Sequence, residues 1–144
     1  MATKYLPDAD HVVRHIGSQL LERDGNDRLI GCFPQAFELR PDEKYLSASW
    51  LEFFNGTRQE RLERTAQACA KLRTVRPKHG FVIGNVGVVK EACASFNQKI
   101  RVIHEPNDNP AYTAIRNYKS DDLELLELLA SDAWSDVVEA QPYL

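Results

Sequence analysis

Between Gly80 and His104 two short apolar runs, Gly80-Phe81-Val82-Ile83 and Ile100-Arg101-Val102-Ile103, flank a segment in which Val86, Val89, Cys93 and Phe96 recur at helical spacing. Strand, helix and strand joined by connections this short predict a right-handed crossover between adjacent parallel strands. The unit constrains everything else, because the remaining segments must extend its sheet or cover its faces.

Those segments sort by period. His11-Val12-Val13-Arg14-His15-Ile16 is β-prone and ends at Gly17, with a brief helical turn expected from Ser18 to Glu22. Asp24-Gly25-Asn26-Asp27 reads as a turn, and the pieces around Leu29 to Leu39, interrupted by Pro34, read as an edge or bulged strand. Tyr45 to Trp50 alternates, and Tyr112 to Ile115 is a further strand candidate. At Thr57 the period changes: Thr57 and Glu60 form a capping-box signature, and Leu62, Ala66, Cys69 and Leu72 follow at helical spacing until Pro77, predicting a middle helix over about 58–75. Ser120 or Asp121 is expected to cap a C-terminal helix over about 121–138, with Leu123, Leu126, Ala130, Ala133 and Val137 on one face. The fold class read from this is α+β: one domain over 1–144, with a small mixed sheet containing the parallel unit of 80–104.

With 144 residues, 43% of them hydrophobic and 27% charged, such a chain can bury an ordinary core without disulfides or metal. Cys32, Cys69 and Cys93 are widely spaced and form no C-x-x-C pair, so they read as free thiols, with Cys69 and Cys93 on apolar helix stripes. The odd thiols, the lack of an apolar leader and the lack of any membrane-length apolar stretch predict a cytoplasmic protein that engages no membrane. A net charge of −3 argues against a nucleic-acid-coating surface. One local exception is the basic stretch Arg58, Arg61, Arg64, Lys71 and Arg73, which carries a nucleic-acid reading if its charges share a face. The aromatics Phe33, Phe37, Tyr45, Trp50, Phe53 and Phe54 read as one packed layer. His11 and His15 lie four apart but on a strand, so no metal site and no cofactor is expected.

The parallel unit also predicts a site. If both strands end at one sheet edge, Gly84, Asn85 and Gly87 form a loop at a helix N-terminus whose backbone N–H groups suit an anion, and His104 stands beside it. His104 and Glu105 are then the candidates for acid–base chemistry.

The segments Val12-Val13-Arg14, Ala36-Phe37-Glu38-Leu39-Arg40, Tyr45-Leu46-Ser47, Gly84-Asn85-Val86-Gly87 and Asn109-Pro110-Ala111 resemble small bacterial proteins with no assigned activity. Arg14 on a first strand followed by Ser47-Ala48-Ser49 is similar to the opening half of ADP-ribosyltransferases, although the Glu-x-Glu turn of that family does not follow. The functional expectation is a non-catalytic binding or regulatory module whose partner is another protein or a copy of itself. The alternative is a small enzyme or binder of a phosphorylated or nucleotide-like ligand at Gly84–Gly87 and His104, and nucleic-acid binding through 58–78 comes third.

Overall fold

A computed structural model describes residues 2–144. The elements in chain order are β1 (His11–Ile16), β2 (Leu21–Arg23), β3 (Leu29–Cys32), β4 (Leu46–Trp50), α1 (Arg58–Cys69), β5 (Gly80–Asn85), α2 (Val86–Ala94), β6 (Arg101–His104), β7 (Tyr112–Arg116), α3 (Leu123–Leu128) and β8 (Asp136–Glu139). Six strands form one sheet in the order β6-β7-β4-β1-β5-β8, and β2 pairs with β3 in a separate two-stranded sheet. The α+β class holds.

The mixed sheet does not. Every pairing is antiparallel, and the parallel strand-helix-strand unit of 80–104 is absent as a neighbouring pair. Through the chain of antiparallel pairs, β5 and β6 do run in the same direction, but β1, β4 and β7 lie between them. Four strand spacings at ~4.8 Å each put their ends about 19 Å apart. Local spacing shows that α2 must return the chain to the same end of the sheet; it carries no information about which strands enter the gap.

The central strand β1 is buried on both faces. Val12 and Ile16 belong to a large cluster with Val86 and Val89 of α2 and Leu125 of α3, while Val13, one residue out of phase, packs with Leu62 and Ala66 of α1. The helices therefore cover opposite faces. At the outer edge of β6, Leu6 N–H donates to the Val102 carbonyl (3.1 Å) and His104 N–H to that of Lys4 (2.9 Å), so the N-terminal segment occupies donors and acceptors that an open edge would expose.

α1 begins at the expected place with both halves of the capping box formed. It ends at Cys69 rather than near 75, where the β-branched pair Thr74-Val75 and the restriction that Pro77 places on Arg76 disfavour further helix. The C-terminal helix departs further. Asp122 caps it, α3 runs only to Leu128, and Leu129–Ala133 widen into a π-helical turn closed by Trp134 N–H on the Leu129 carbonyl (2.8 Å). Val137 and Val138 then leave the helix and pair with Val82 and Phe81, as their β-branched side chains favour. The wide turn seats Trp134, wholly buried, against Phe37 at a ring separation of 5.3 Å. Pro34 opens a 3₁₀ turn, Pro34–Phe37, instead of lying in a strand. The aromatic layer is split accordingly: Phe37 and Trp50 are buried, whereas Phe33 and Phe53 are exposed.

Candidate functional site

The donors expected to hold an anion at the start of α2 are already engaged. Val86 N–H donates to the Asp10 carbonyl (2.9 Å), Gly87 N–H to that of Asp8 (3.0 Å), and Val88 N–H to Asn85 Oδ1 (3.0 Å). Gly84 serves packing: a Cβ there would lie 2.9 Å from the Ala133 carbonyl oxygen and 3.0 Å from the Trp134 ring. His104 is on β6, so Gly84, Asn85 and Gly87 do not converge with it; the geometry that joined them depended on the adjacent parallel pair. Its Nε2–H donates to the Pro110 carbonyl (2.7 Å), and its ring rests against Trp50 and Phe53. Glu105 accepts two hydrogen bonds from Arg116, at 2.6 and 2.7 Å.

The basic stretch is divided between α1, which carries Arg58, Arg61 and exposed Arg64, and the segment after it. Arg58 pairs with Asp136 and Arg61 donates to the Phe54 carbonyl, while Lys71 and Arg73 lie past the end of α1. Arg73 instead turns toward a different place.

That place is a cleft on the α1 side of the sheet, walled by His15, Arg40, Ser47, Ser49, Arg73 and Tyr112 among others. Its inner part has about 30 Å³ of free room, enough for two water-sized groups. Ser47, Leu72, Arg73 and Tyr112 also line an adjoining groove of about 350 Å³, so the cleft has a wider antechamber. Strand alternation explains the convergence. His15 follows Val13 on the α1 face of β1, and Ser49 sits opposite Val13 on β4, with Tyr112 opposite Ser49 on β7.

Beneath the cleft, on the other face, Arg14 is 1% exposed and fully committed. It donates from Nε to the Ala36 carbonyl (3.0 Å), from Nη1 to that of Ser47 (2.9 Å), and in fork fashion to Glu43 at 3.1 and 3.2 Å. Burial alone would raise the Glu43 carboxyl, but the hydrogen bonds and charge of Arg14, with Ser47 and the Arg40 amide, hold it down to about 2. Glu43 thereby neutralises Arg14 and, 3.9 Å from Arg40 Nη1, also pairs with Arg40, which leaves Arg73 as the unpaired cation of the cleft. Arg40 donates to the His15 carbonyl (2.8 Å), and Arg73 has no ion-pair partner among the described residues. The Arg40 guanidinium is lowered to about 10, first by burial and then by the neighbouring Arg14 and Arg73 charges, with Glu43 and Asp42 acting in the opposite direction.

His15 is the unusual member. Its ring is buried, its Nε2 lies 2.8 Å from His79 Nδ1, and its own Nδ1 has no hydrogen-bond partner. The Arg76 backbone N–H points at His79 Nδ1 (3.2 Å), so that nitrogen carries a lone pair. His15 Nε2 must then be the donor, and the unpartnered Nδ1 of neutral His15 is a bare acceptor. Burial, followed by the neighbouring His79 ring and the charges of Arg73, Arg40 and Arg14, lowers the ring to about 3, so it stays neutral at physiological pH. Leaving such an acceptor dry costs about 1–3 kcal/mol unless something donates to it.

Cys69 also lines the cleft, with Sγ 3.6 Å from Ser49 Oγ, which in turn accepts from Asn109 Nδ2 (2.9 Å). Burial raises the Cys69 thiol, so it remains protonated and unreactive at neutral pH. His11 is paired with Glu52, and no group of three metal-ligating side chains is gathered among the described residues. Nor is any described helix long and apolar enough to cross a membrane.

The sequence reading passed over His15, His79 and Arg40 in this role. The available signal was the excess of basic residues ahead of Gly80, but the pairing of His15 with Phe81, which brings His79 underneath, is visible only in the sheet register. No protein-family model matches the chain, and no curated protein or solved structure is significantly similar to it.

Proposed function

We propose that this chain is a binding module for a small anionic ligand, with the charged group seated in the cleft between His15, Arg40 and Arg73. One observation carries the reading: Arg73, which has no ion-pair partner among the described residues, and Arg40 flank a buried histidine with an unsatisfied ring nitrogen beside a small cavity that opens into a wider groove. Hydroxyl groups of Ser47, Ser49 and Tyr112 supply further polar partners, and the adjoining groove gives the rest of a ligand somewhere to lie. A phosphorylated or nucleotide-like ligand was the alternative expected at Gly84–Gly87 and His104, where the backbone donors are engaged; in the cleft Arg73 has no ion-pair partner among the described residues.

Isothermal titration with inorganic phosphate and phenyl phosphate tests this. Arg73 is exposed, so Arg73→Glu leaves the fold intact and is expected to abolish binding, while Arg64→Glu on the outer face of α1 leaves it unchanged. Equal behaviour of the two variants would refute the assignment. A second reading, contact with another protein or a second copy, rests on Ile30 (59% exposed) and Phe33 (40% exposed) beside the two-stranded sheet. Light scattering on the parent and on Ile30→Lys separates it: a monomer in both cases counts against self-association.

A further inference from the structure

Charge in this chain is segregated by region. From Arg64 to Lys90 there is no Asp or Glu, and from Ser120 to Leu144 there is no Lys or Arg. The acidic α3 packs on the face of the sheet opposite α1, while just past the end of α1 Lys71, Arg73, Arg76 and Lys78 are all exposed. We infer that the segment from Lys71 to Lys78, with the groove beside Arg73, is a docking surface for a single-stranded nucleic acid. This deepens the anionic-ligand reading and rests on it through Arg73, with phosphate held at the wider groove and outside the small inner cavity.

Pairing sets these cations apart. Arg14, Arg23, Arg28, Arg58, Lys90 and Arg116 each face a carboxylate, whereas Lys71, Arg73, Arg76 and Lys78 form no ion pair among the described residues. A row of unpaired cations is what a row of phosphates neutralises. The backbone that carries them is irregular but pinned. Leu72 and Arg73 N–H both donate to the Cys69 carbonyl (3.0 Å each), Val75 packs against the core on the α1 side, and Arg76 N–H reaches His79 Nδ1 (3.2 Å), which is itself bonded to buried His15 (2.8 Å). Binding then has side chains to order and little backbone, so less affinity is lost than with a mobile basic tail.

The groove of about 350 Å³ supplies an aromatic ring as well as charge. Tyr45, Leu72, Arg73 and Tyr112 line it, and Arg116 lies over the Tyr45 ring at 4.5 Å from its centre, which leaves Tyr112 for a base to stack on. An acidic peptide would satisfy the cations but not that ring. Asp42 also lines the groove and repels phosphate, so the phosphates follow Arg73 and the loop while a base takes the groove. The net charge of −3 opposes coating of a duplex, but a strand that touches one loop needs only the charge of that loop, and the acidic α3 side steers it there.

The test is fluorescence anisotropy of a labelled oligothymidylate of about 12 nucleotides with the whole chain at pH 7, over a series of salt concentrations. Four phosphate contacts predict a slope of about −2.8 in log K against log salt, or an affinity loss of about 50-fold between roughly 50 and 200 mM. Lys71→Gln/Lys78→Gln should bring the slope to about −1.4, while Lys99→Gln/Arg101→Gln, which removes two exposed cations near β6, should leave it unchanged. Tyr112→Leu should weaken binding at least about fivefold without changing the slope. Equal effects of the two double variants would overturn the placement of the strand. An oligoglutamate of the same charge that binds as tightly, with Tyr112→Leu inert toward both, would overturn the nucleic-acid assignment in favour of an acidic protein. Binding of inorganic phosphate by calorimetry without binding of the oligonucleotide would overturn the strand inference and leave the anion reading standing; binding of neither would overturn both.

Discussion

Replacing Glu43 by glutamine tests how the floor of the cleft is held. The carboxylate forms a fork with buried Arg14, is itself only 7% exposed, and sits at about 2 against an ordinary 4.5. That difference is worth roughly 3 kcal/mol of stability at neutral pH. A group whose folded pKa is depressed contributes its full share above the unfolded value and loses it as pH falls toward the folded value. The contribution of Glu43 should thus be complete above about pH 5, fall to roughly 1.4 kcal/mol near pH 3, and vanish below about pH 2. Glu43→Gln mimics the protonated carboxyl, so parent and variant should differ by about 3 kcal/mol at pH 7 and converge on acidification. His15 also titrates in the acid range. Its lowered ring makes the fold lose stability between about 6.5 and 3. That effect is common to both proteins and cancels in the difference. Urea unfolding followed by tryptophan fluorescence from pH 7 downward measures it. A gap under about 1 kcal/mol at pH 7, or one that does not narrow with acid, would refute the account of the Arg14–Glu43 pair.

Three other outcomes follow. Gly84→Val should destabilise by more than about 2 kcal/mol in urea, because its side chain meets the Ala133 carbonyl and Trp134, and should leave phosphate affinity unchanged in the folded fraction. Thr57→Ala should cost about 1 kcal/mol, the usual value of an N-cap, in the same assay. His104→Gln should not alter phosphate binding by calorimetry, since that ring is bonded to the Pro110 carbonyl, packs on Trp50 and Phe53, and does not line the cleft.

What could be read from the sequence was mostly local. The capping box at Thr57, the strand His11 to Ile16, and the helix starting at Val86 are set by residues within a turn or two of each other, and each appears where the pattern placed it. Neighbour relations were not legible. α2 returns the chain in the direction expected, yet β1, β4 and β7 occupy the gap it crosses, and that choice is made by packing of Val12 and Val13 against opposite helices far away in sequence. The end of the C-terminal helix failed for a related reason. Leu123 to Val137 carry a helical period, but Trp134 fits the core only if the helix widens, after which Val137 and Val138 find β5. The cleft depends on the same non-local facts: the sequence marks Arg73 by its charge and His15 only as half of a His11/His15 pair on a strand, and the register of β1 on β5 and β4 unites them with Arg40 and Ser49.

The most direct test of the cleft is long-range ¹H–¹⁵N NMR of the His15 ring at pH 7 as inorganic phosphate is added. In the free protein Nδ1 should resonate as an unprotonated nitrogen with no hydrogen-bond donor, and Nε2 as a protonated one. With phosphate bound beside Arg73, the His15 ring nitrogens should shift while the His104 ring stays still, and Arg73→Glu should suppress the change. A His15 ring that ignores phosphate, or that shifts equally in Arg73→Glu, would contradict the claim that this cleft is the binding site.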